Sequence, residues 1–363
     1  MHKQKVVVGM SGGVDSSVAA YILKQQGYDV IGVTMQIWQD GQLSDGGCCG
    51  LSAVDDARRV AEMLDMPYYV MNFRQVFKEK VVRNFIDEYA KGRTPNPCIA
   101  CNRYVKWESL LQKALALGAS CIATGHYARI ETHPRTGRRT LALSATAEKD
   151  QTYALYNLTQ HQLAHTLMPI GAYKKEDIRR IAAGIGLPVA AKPDSQEICF
   201  VPDNDYAKFI VETSGRAFPP GDFVDGEGRV LGRHKGIIHY TVGQRKGFGI
   251  SFGKRMYVKE INAANNQVVL ADDCQTYAAS LLAGDVNFMA IADLPAPCRA
   301  YAKTRYGQAM SPCTVAMHDG RLSFSFDEPH RAVAPGQAAV AYDETGRYVL
   351  CGGTIDTVNK PAG

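Results

Sequence analysis

The stretch KVVVGMSGGVDSSVAAYIL, residues 5–23, decides how the N-terminal part of the chain folds. It opens with an apolar run that is typical of a buried strand and closes with the helical spacing of apolar residues. Between these, Gly12 and Gly13 allow the backbone to approach an anion, so that N–H groups and the helix N-terminus can face it. The stretch therefore predicts a strand, a phosphate-binding turn and a helix in succession.

The polar side chains of this turn favour a nucleotide ligand. Ser11, Ser16 and Ser17 add hydroxyl donors, whereas Asp15 is unfavourable beside a phosphate unless it holds Mg²⁺ or caps the helix. The lysine of loops that bind a transferable γ-phosphate is absent. Two glycines alone would fit a tight turn with no ligand, but the run SGGVDSS is far more specific, and we predict that it binds ATP.

Strand and helix patterns alternate as far as about residue 205, which predicts a Rossmann-like α/β domain with a parallel sheet. A hairpin is predicted within it, from residues 127–131 and 140–144. Beyond it, glycine-rich segments of alternating polarity take over, and from about residue 283 short strands recur at the spacing of a small β-barrel. We therefore predict three domains: a catalytic ATP-binding domain over 1–205, a small β-rich domain over 206–280 and a C-terminal β-barrel over 281–363.

The composition is that of a soluble globular protein. Of 363 residues, 46% are apolar and 21% are charged. No apolar run reaches the ~18 residues that span a bilayer, and no signal peptide is evident, so we expect a cytoplasmic protein with no membrane partner. In such a compartment, closely spaced members of its ten cysteines indicate metal or redox chemistry rather than disulfides.

Three cysteines in polar segments are candidates for that chemistry. The run TPNPCIACNR places Cys98 and Cys101 two residues apart, and its two prolines predict a rigid extended loop. Cys199 lies in KPDSQEICFV. A structural zinc is disfavoured because it needs four ligands and no second C-x-x-C follows, and simple packing fits polar segments poorly. The third interpretation is sulfur transfer, in which one thiol carries a persulfide and another attacks it.

A basic stretch, residues 229–259, contains eight Lys or Arg and no Asp or Glu. Aromatic residues are interleaved with these charges, and we expect about half of them to pack inward. A solvated ribbon is the simplest alternative, but a stretch of one sign and this length favours contacts with the phosphates of a nucleic acid.

The motifs resemble, in order, those of one family. SGGVDSS is similar to the pyrophosphate loop of ATP pyrophosphatases, and TPNP…C-N, ATGHYAR, KDQTYAL, DSQEICF, TVGQRKGFGI and PGQ are similar to motifs of the tRNA-specific 2-thiouridylases. The resemblance extends over positions 9–337. It implies a tRNA-uridine 2-sulfurtransferase: ATP–Mg²⁺ adenylates the C2 oxygen of the wobble uridine, position 34, releasing pyrophosphate, and persulfide sulfur then displaces AMP to give 2-thiouridine.

The resemblance also assigns binding residues. For ATP these are Gly9, Met10, Ser11, Gly12, Gly13, Val14, Asp15, Ser16, Met35 and Gly125. For the target base they are Asn96, Pro97 and Cys98. For the rest of the tRNA they are His126, Lys149, Asp150, Gln151, Arg305, Tyr306 and Gln337. We expect Asp150 to accept hydrogen bonds from a base edge or ribose, since a carboxylate repels phosphate. His126 on its own would more often be a capping residue.

The thiol roles follow from the same resemblance. Cys101 matches the nucleophile and Cys199 the persulfide carrier, and the two would form a transient disulfide; Arg103 or Lys106 would lower the thiol pKa. Position 98 departs from the pattern, because relatives often carry an aspartate there as an acid–base group. Cys98, Cys101 and Cys199 are therefore also candidate ligands of a [4Fe–4S] cluster with one open iron. A persulfide relay and a cluster both stay open.

The partners implied are tRNAs for lysine, glutamate and glutamine, and a cysteine desulfurase or sulfur-relay protein as persulfide donor. Two other functions are also compatible with parts of the sequence. A small-molecule ATP pyrophosphatase that forms amides would need no basic β-rich domain. A non-catalytic RNA-binding or redox protein would bind ATP without producing AMP in response to tRNA.

Overall fold

The structure, a computed structural model, describes residues 3–38, 51–194 and 198–360. Cys48, Cys49 and part of the DSQEICF motif, residues 195–197, lie outside the described residues. The chain divides into two compact units. The first comprises Met1–Val82 and Cys98–Asn204, and the second comprises Arg83–Pro97 and Asp205–Gly363.

The first unit is built on a five-stranded parallel sheet with the order β3-β2-β1-β4-β7. The strands of this unit are β1 Lys5–Gly9, β2 Asp29–Gln36, β3 Tyr68–Asn72, β4 Cys121–Ala123, β5 Arg129–Thr132, β6 Arg139–Ala142 and β7 Thr166–Leu167. Val7 of the central strand pairs with Ile31 on one side and Ile122 on the other. β5 and β6 form the predicted hairpin. The predicted Rossmann-like sheet is confirmed.

The helices of the chain are α1 Val14–Gln25, α2 Leu51–Met63, α3 Arg74–Phe77, α4 Arg83–Ala90, α5 Pro97–Ala100, α6 Leu111–Ala116, α7 Gln160–Ala164, α8 Lys175–Gly184 and α9 Tyr206–Ser214. Apolar residues of α1, α2 and α8 pack with the strands in the core of the first unit, whereas α4 and α9 belong to the second unit. Two π-helical segments, Lys78–Val82 and Cys101–Leu110, join α3 to α4 and α5 to α6. Short 3₁₀ turns occur at Ala147–Lys149, Thr152–Leu155, Pro202–Asn204, Ile237–His239 and Asp273–Thr276. In the described part of the chain, no helix is long and apolar enough to cross a bilayer.

The second unit contains two β structures. Its strands are β8 Gly221–Val224, β9 Val230–His234, β10 Tyr257–Asn262, β11 Gln267–Ala271, β12 Tyr277–Phe288, β13 Cys298–Lys303, β14 Ser311–His318, β15 Arg321–Arg331, β16 Ala338–Tyr342 and β17 Val349–Asn359. The first four form a sheet with the order β10-β11-β8-β9. The last six close into a barrel with the order β12-β15-β14-β13-β16-β17, so no edge strand is left unpaired. The predicted C-terminal barrel is confirmed.

The segment Arg83–Pro97 belongs to the second unit, although it lies inside the stretch predicted as the catalytic domain. Arg93 fixes it to β17, because its guanidinium donates to the Ile355 carbonyl at 3.0 Å and to the Asp356 carboxylate at 3.1 Å. The Thr94 N–H donates to the Pro335 carbonyl at 2.8 Å. These bonds hold the residues that precede the cysteine motif against the barrel.

The glycine turn yields a test of the fold. Gly12 and Gly27 both have positive φ, +68° and +88°, so a side chain strains both positions. A Cβ at Gly12 would lie 2.3 Å from the Ala53 carbonyl oxygen, whereas one at Gly27 would meet nothing within 4 Å. We expect Gly27→Ala to lower the free energy of unfolding by about 1–2 kcal/mol and Gly12→Ala to lower it by clearly more.

Urea unfolding of the two variants and the wild type measures this difference. Because Gly27→Ala carries the same kind of backbone strain, it is the control that isolates the contact with Ala53. Equal losses of stability in the two variants would show that the close approach at Gly12 is not a constraint.

Candidate active site

The site lies where the strand order of the parallel sheet reverses. From β1 the chain adds β2 and β3 on one side, and then β4 and β7 on the other. The loops that follow β1 and β4 therefore diverge and leave a crevice at the carboxyl ends of these strands, which is where open α/β sheets bind ligands. The glycine turn follows β1, and Gly125 and His126 follow β4.

Hydrogen bonds fix the glycine turn on its buried side, and the turn is exposed to solvent at Ser11. Met10 is buried, and its carbonyl accepts a hydrogen bond from the Thr34 hydroxyl at 2.9 Å. The Ser16 hydroxyl lies 3.2 Å from the Ser11 N–H, and the Ser17 hydroxyl donates to the Gly13 carbonyl at 2.8 Å. Ser11 is exposed at the mouth of the turn. The predicted ATP residues 9–16 thus form one continuous turn between β1 and α1, and ATP binding there stays a prediction.

Gly125 completes the wall of the turn. A Cβ at this position would lie 2.6 Å from the Ser16 nitrogen and 2.7 Å from the Asp15 carbonyl carbon, so only glycine lets the two segments touch. Met35 lies near the carboxyl end of β2 and is half-buried. Both residues therefore flank the crevice to which their predicted roles assign them.

Asp15 does not cap the helix. Gly13 is the N-cap of α1 and no side chain caps it. The Asp15 carboxylate instead accepts bonds from Lys175 Nζ at 2.7 and 2.8 Å and from the Tyr127 hydroxyl at 2.8 Å. Burial and the adjacent Asp15 charge raise the pKa of Tyr127, which keeps its hydroxyl protonated as the donor. The capping alternative was wrong because α1 starts at Val14, so Asp15 lies inside the helix rather than before it.

Lys175 also contacts Asp194, which belongs to the DSQEICF motif. The distance from Lys175 Nζ to Asp194 Oδ1 is 2.8 Å. Lys149 and Arg179 contact the same carboxylate at 2.9 and 3.1 Å. Partial burial raises the pKa of Asp194, but the hydrogen bonds and charges of Lys175 and Lys149 outweigh it and lower the pKa to about 2. Asp194 is therefore a fixed anion.

A second lysine reaches the glycine turn from the same region. Lys192 Nζ lies 3.2 Å from the Gly12 carbonyl oxygen and 2.8 Å from Asp56 Oδ2. Sequence reasoning missed Lys175, Lys192 and the pairing of Asp194. Asp194 stood inside a quoted motif, but Lys175 opens a helix with no motif of its own, so only the fold reveals its position.

The cysteine motif begins a helix rather than an extended loop. Pro97 occupies the first position of α5, where a missing N–H leaves no helical bond unmade. Cys98 is exposed, and Cys101, half-buried, opens the π-helical segment Cys101–Leu110. The boundary between the two compact units falls between Pro97 and Cys98. The loop predicted for the approach to the cysteines corresponds to residues 93–96, which lie in neither helix nor strand, and it ends where Pro97 starts the helix.

The two cations expected near the thiols have other contacts. The Arg103 guanidinium lies 5.2 Å from the centroid of the Tyr104 ring. Lys106 Nζ donates to Asn102 Oδ1 at 2.9 Å and lies 3.3 Å from His126 Nε2. Their effect on a thiol pKa stays a prediction.

His126 is bound on both ring nitrogens. An ammonium only donates, so Nε2 accepts from Lys106 and Nδ1 carries the hydrogen that it donates to the Thr124 hydroxyl at 2.8 Å. Burial and the Lys106 charge hold the pKa of His126 well below its usual value of 6.5. His126 is therefore neutral, and an RNA contact through it stays a prediction.

Cys199 is exposed next to an anchored aromatic residue. Phe200 is buried, and its ring centroid lies 5.4 Å from that of Phe77 and 6.4 Å from that of Trp38. Within residues 3–38, 51–194 and 198–360, no three His, Cys, Asp or Glu side chains are placed to hold a metal ion. As arranged, Cys98, Cys101 and Cys199 do not fit a [4Fe–4S] cluster, and we propose none for this protein.

The three tRNA-contact positions 149–151 differ in exposure. Lys149 is half-exposed and paired with Asp194. Asp150 is buried, and its carboxylate accepts bonds from the Ser144 N–H at 2.9 Å and from the Thr152 hydroxyl at 2.5 Å. Gln151 accepts from the Tyr127 N–H at 2.9 Å. The Asp150 carboxylate therefore stabilises the turn that contains it. We assign it no contact with a base or ribose.

The positions in the second unit also bind their own backbone. Gln337 Nε2 donates to the Thr94 carbonyl at 2.8 Å, two residues before Asn96. Arg305 Nη2 donates to the Val242 carbonyl at 2.6 Å, at the start of the glycine-rich loop. Tyr306 is exposed. Their contacts with tRNA remain predictions.

The aromatic residues of the basic stretch pack inward more completely than expected. Tyr240, Phe248 and Phe252 surround the buried Phe223 with centroid distances of 5.2, 5.6 and 6.1 Å. Tyr257 is also buried. The expectation that half would face outward was wrong because this small sheet needs these rings as its core.

Of the eight cations of the stretch, Lys259 is half-buried, and the other seven divide into two sets. Some pair with carboxylates from outside it: Arg229 with Asp225, Arg233 with Asp222 and Lys254 with Asp272. Others are exposed and have no ion pair among the residues that the structure describes: Lys235, Arg245, Lys246 and Arg255. The second set is the part of the surface with unneutralised positive charge.

Comparison with known proteins gives three family matches. Residues 4–203 match the family described as tRNA methyl transferase HUP domain, 207–272 the tRNA methyl transferase PRC-barrel domain, and 278–355 the Aminomethyltransferase beta-barrel domain. These ranges correspond to the parallel-sheet layer, the small sheet and the closed barrel.

The chain is similar to curated proteins over nearly its whole length. It is 60% identical over 357 residues to tRNA-specific 2-thiouridylase MnmA of Lachnoclostridium phytofermentans, an alignment covering 97% of this chain and 99% of that protein. Identity to the protein of the same name from Acetivibrio thermocellus is 58% over 360 residues, covering 98% and 100%.

Among solved structures, U34-tRNA thiolase NcsA from Methanococcus maripaludis with its [4Fe–4S] cluster is 16% identical. The match covers 59% of this chain and 67% of that one, with a TM-score of 0.36. A similarity this low supports no argument about cluster or function.

His126 generates a pH-dependent prediction. Because its pKa is lowered in the folded protein, the stability it contributes is present above pH 6.5 and is lost as the pH falls below 6.5. Between pH 7.5 and 5.5, protonation of His126 on unfolding should lower the unfolding free energy of the wild type by up to about 1.4 kcal/mol. His126→Gln should not show this part of the decrease. Glutamine keeps an acceptor for Lys106.

Urea unfolding at both pH values measures the effect, with His161→Gln, a change at an exposed histidine, as the control. The control should retain the wild-type pH dependence. If His126→Gln retains it as well, His126 is protonated in the folded protein and the assigned tautomer is wrong.

Proposed function

The chain belongs to the tRNA-specific 2-thiouridylase family, and from this premise we propose that it converts uridine 34 of tRNA to 2-thiouridine in the cytoplasm. The observation that carries the proposal is the 60% identity along 357 residues, which includes every segment of the crevice described above. The sulfur comes from a persulfide, and ATP is cleaved to AMP and pyrophosphate.

In the first step, ATP binds with its leaving pyrophosphate on the turn at residues 9–16. Backbone N–H groups and the N-terminus of α1 stabilise the charge that develops on the pyrophosphate. The C2 oxygen of the uridine attacks the α-phosphorus, and the bond between the α-phosphorus and the bridging oxygen breaks. This converts a poor leaving group, the carbonyl oxygen, into AMP. The absence of a γ-phosphate lysine agrees with cleavage at the α-phosphorus.

In the second step, the terminal sulfur of a Cys199 persulfide attacks C2, and AMP leaves with the oxygen. The Cys101 thiolate then attacks the Cys199 sulfur, so that the S–S bond breaks and its electron pair stays on the sulfur of the base. The resulting disulfide between Cys101 and Cys199 is reduced by an external thiol. The exposure of Cys199 and the partial exposure of Cys101 support these roles.

Magnesium would neutralise the charge of the polyphosphate when bound. Asp15 is the carboxylate of the glycine turn, and here it is paired with Lys175 and Tyr127. We therefore assign magnesium no protein ligand, and the ion would be held by the phosphates and water.

The proposal divides the work among three domains: residues 1–205 carry out the chemistry, and residues 206–280 and 281–363 hold the RNA. By the family resemblance we assign contacts with the target base to Asn96, Pro97 and Cys98. We assign contacts with the rest of the tRNA to His126, Lys149, Gln151, Arg305, Tyr306 and Gln337. The substrates would be tRNAs for lysine, glutamate and glutamine, and the persulfide would come from a cysteine desulfurase or a sulfur-relay protein.

The test is an anaerobic reaction of the purified protein with ATP–Mg²⁺, unmodified tRNA, a loaded persulfide donor and a reducing thiol, with nucleosides and nucleotides measured by mass spectrometry. We expect 2-thiouridine to appear in step with AMP. The rate should fall by about 10³-fold or more in Cys199→Ser, because the sulfur carrier is lost. Cys274→Ser, a change at an exposed cysteine of the second unit, should react like the wild type.

Other outcomes point elsewhere. A Cys199→Ser variant with the wild-type thiolation rate would overturn the relay. AMP formed in response to a small metabolite instead of tRNA would favour an amide-forming synthetase. Tight binding of ATP and RNA without AMP would favour a non-catalytic RNA-binding protein.

The exposed cations of the second unit generate a separate prediction. If Arg245 contacts a phosphate, Arg245→Gln should weaken tRNA binding and reduce the slope of log affinity against log salt by about one unit. Arg233 is the matched control, because its guanidinium already lies 2.9 Å from Asp222, so Arg233→Gln should change the slope little.

Binding of unmodified tRNA measured by filter retention at several salt concentrations decides between them. A slope that is unchanged in Arg245→Gln, or lowered equally in both variants, would show that the unpaired cations are not the phosphate contacts.

A further inference from the structure

Lys106 carries a half-buried positive charge that no described carboxylate neutralises. Its ammonium donates to Asn102 Oδ1 at 2.9 Å and to His126 Nε2 at 3.3 Å, and both acceptors are neutral. Among residues 3–38, 51–194 and 198–360, no Asp or Glu lies within ion-pair distance of it. By contrast, Lys175 and Lys192, the lysines at the glycine turn, each pair with an aspartate. A cation withdrawn from water without a counter-charge favours an anionic ligand.

Both acceptors of Lys106 are fixed by further hydrogen bonds. The Asn102 side chain is buried, and its Nδ2 donates to the Ala154 carbonyl at 2.9 Å, which orients Oδ1 toward the ammonium. The other ring nitrogen of His126 donates to the Thr124 hydroxyl at 2.8 Å. The ammonium therefore has a defined position. It has three N–H bonds, and the third has no acceptor in the part of the chain that the structure describes.

This ammonium lies on the β4 side of the crevice. His126 directly follows Gly125, whose backbone packs against the Asp15–Ser16 peptide. If the N–H groups of the glycine turn hold the pyrophosphate that leaves, the α-phosphorus lies beyond them, on the side of the adenosine. A cation bound to His126 is suited to that phosphorus, whereas Lys192, 3.2 Å from the Gly12 carbonyl oxygen, lies against the turn itself.

We propose that Lys106 binds the α-phosphate of the adenine nucleotide, by donating its remaining N–H to a non-bridging oxygen of that phosphate. The inference deepens the proposed function, on which it rests for the attack at the α-phosphorus. The bound phosphate supplies the counter-charge that Lys106 lacks. Because Asn102 and His126 hold the ammonium in place beforehand, it stabilises the charge on the α-phosphate in the transition state without reorganisation.

Calorimetric titration of three ligands isolates this contact. AMP has the α-phosphate, adenosine lacks it, and inorganic pyrophosphate occupies the turn alone. In Lys106→Met we expect the affinity for AMP to fall by about 10- to 100-fold, the usual cost of losing a hydrogen bond to a charged group. The affinities for adenosine and pyrophosphate should stay at their wild-type values.

Two further variants separate the contact from a general effect of the substitution. Lys113→Met, the same change at an exposed lysine of α6, is the matched control and should bind all three ligands like the wild type. Lys106→Arg, which keeps the charge, should lose less of the affinity for AMP than Lys106→Met.

A second measurement follows the first chemical step. Single-turnover release of pyrophosphate from ATP–Mg²⁺ with unmodified tRNA should be slower by about 10²-fold or more in Lys106→Met, as when one donor to a developing charge is removed. Saturating ATP should not restore the rate, because the contact also stabilises the transition state. Lys113→Met should release pyrophosphate at the wild-type rate.

Equal weakening of AMP, adenosine and pyrophosphate binding in Lys106→Met would show a structural role and overturn the inference. So would a wild type that binds AMP no more tightly than adenosine, because no group then recognises the α-phosphate. If the wild type thiolates tRNA while Lys106→Met binds AMP normally, this inference fails and the proposed function stands. If AMP affinity depends on Lys106 but tRNA is never thiolated, the nucleotide contact stands and the proposed function fails.

Discussion

The close packing of backbone at the glycine turn is the constraint on which the first unit depends. Gly12 packs against the Ala53 carbonyl, and Gly125 packs against the Asp15–Ser16 peptide. A Cβ at either glycine would overlap with these backbone atoms. These contacts bring three segments, from the ends of β1 and β4 and from α2, to one point of the sheet. The N–H groups of the turn can then face the open crevice rather than the protein.

Charge is arranged around this turn by lysines from the far end of the first unit. Lys175 and Lys192 reach the turn, and Asp194 and Asp56 compensate them. A buried ammonium is unfavourable unless it is paired, and removing one partner of such a pair costs about 3–5 kcal/mol. The pairing therefore holds Asp194 and Asp56 close to the glycine turn through contacts in space, although all three are far apart in the sequence.

The second unit does more than carry exposed cations. Its barrel binds the segment before the cysteine motif through Arg93, Thr94 and Gln337, and its small sheet uses the aromatic residues of the basic stretch as a core. The aromatic rings are therefore not available as stacking platforms. The unneutralised positive charge of the basic stretch lies on Lys235, Arg245, Lys246 and Arg255, which have no ion pair among the residues that the structure describes.

The sequence by itself determined the Rossmann-like layer, the closed barrel, the anion-facing turn and the three thiols. Alternation of apolar residues and glycine spacing are local properties, so the chain displays them without the fold. It did not determine the helical start at Pro97, the engagement of Asp15 by Lys175, the burial of Asp150 or the attachment of residues 83–97 to the barrel. The contact of Asp15 with Lys175 spans 160 residues of sequence and that of Arg93 with Asp356 spans 263, and the identity of a charged side chain does not say which opposite charge it meets. Only the tertiary structure brings Lys175 between Asp15 and Asp194, because Coulomb attraction acts over a few ångströms of space and not along the chain.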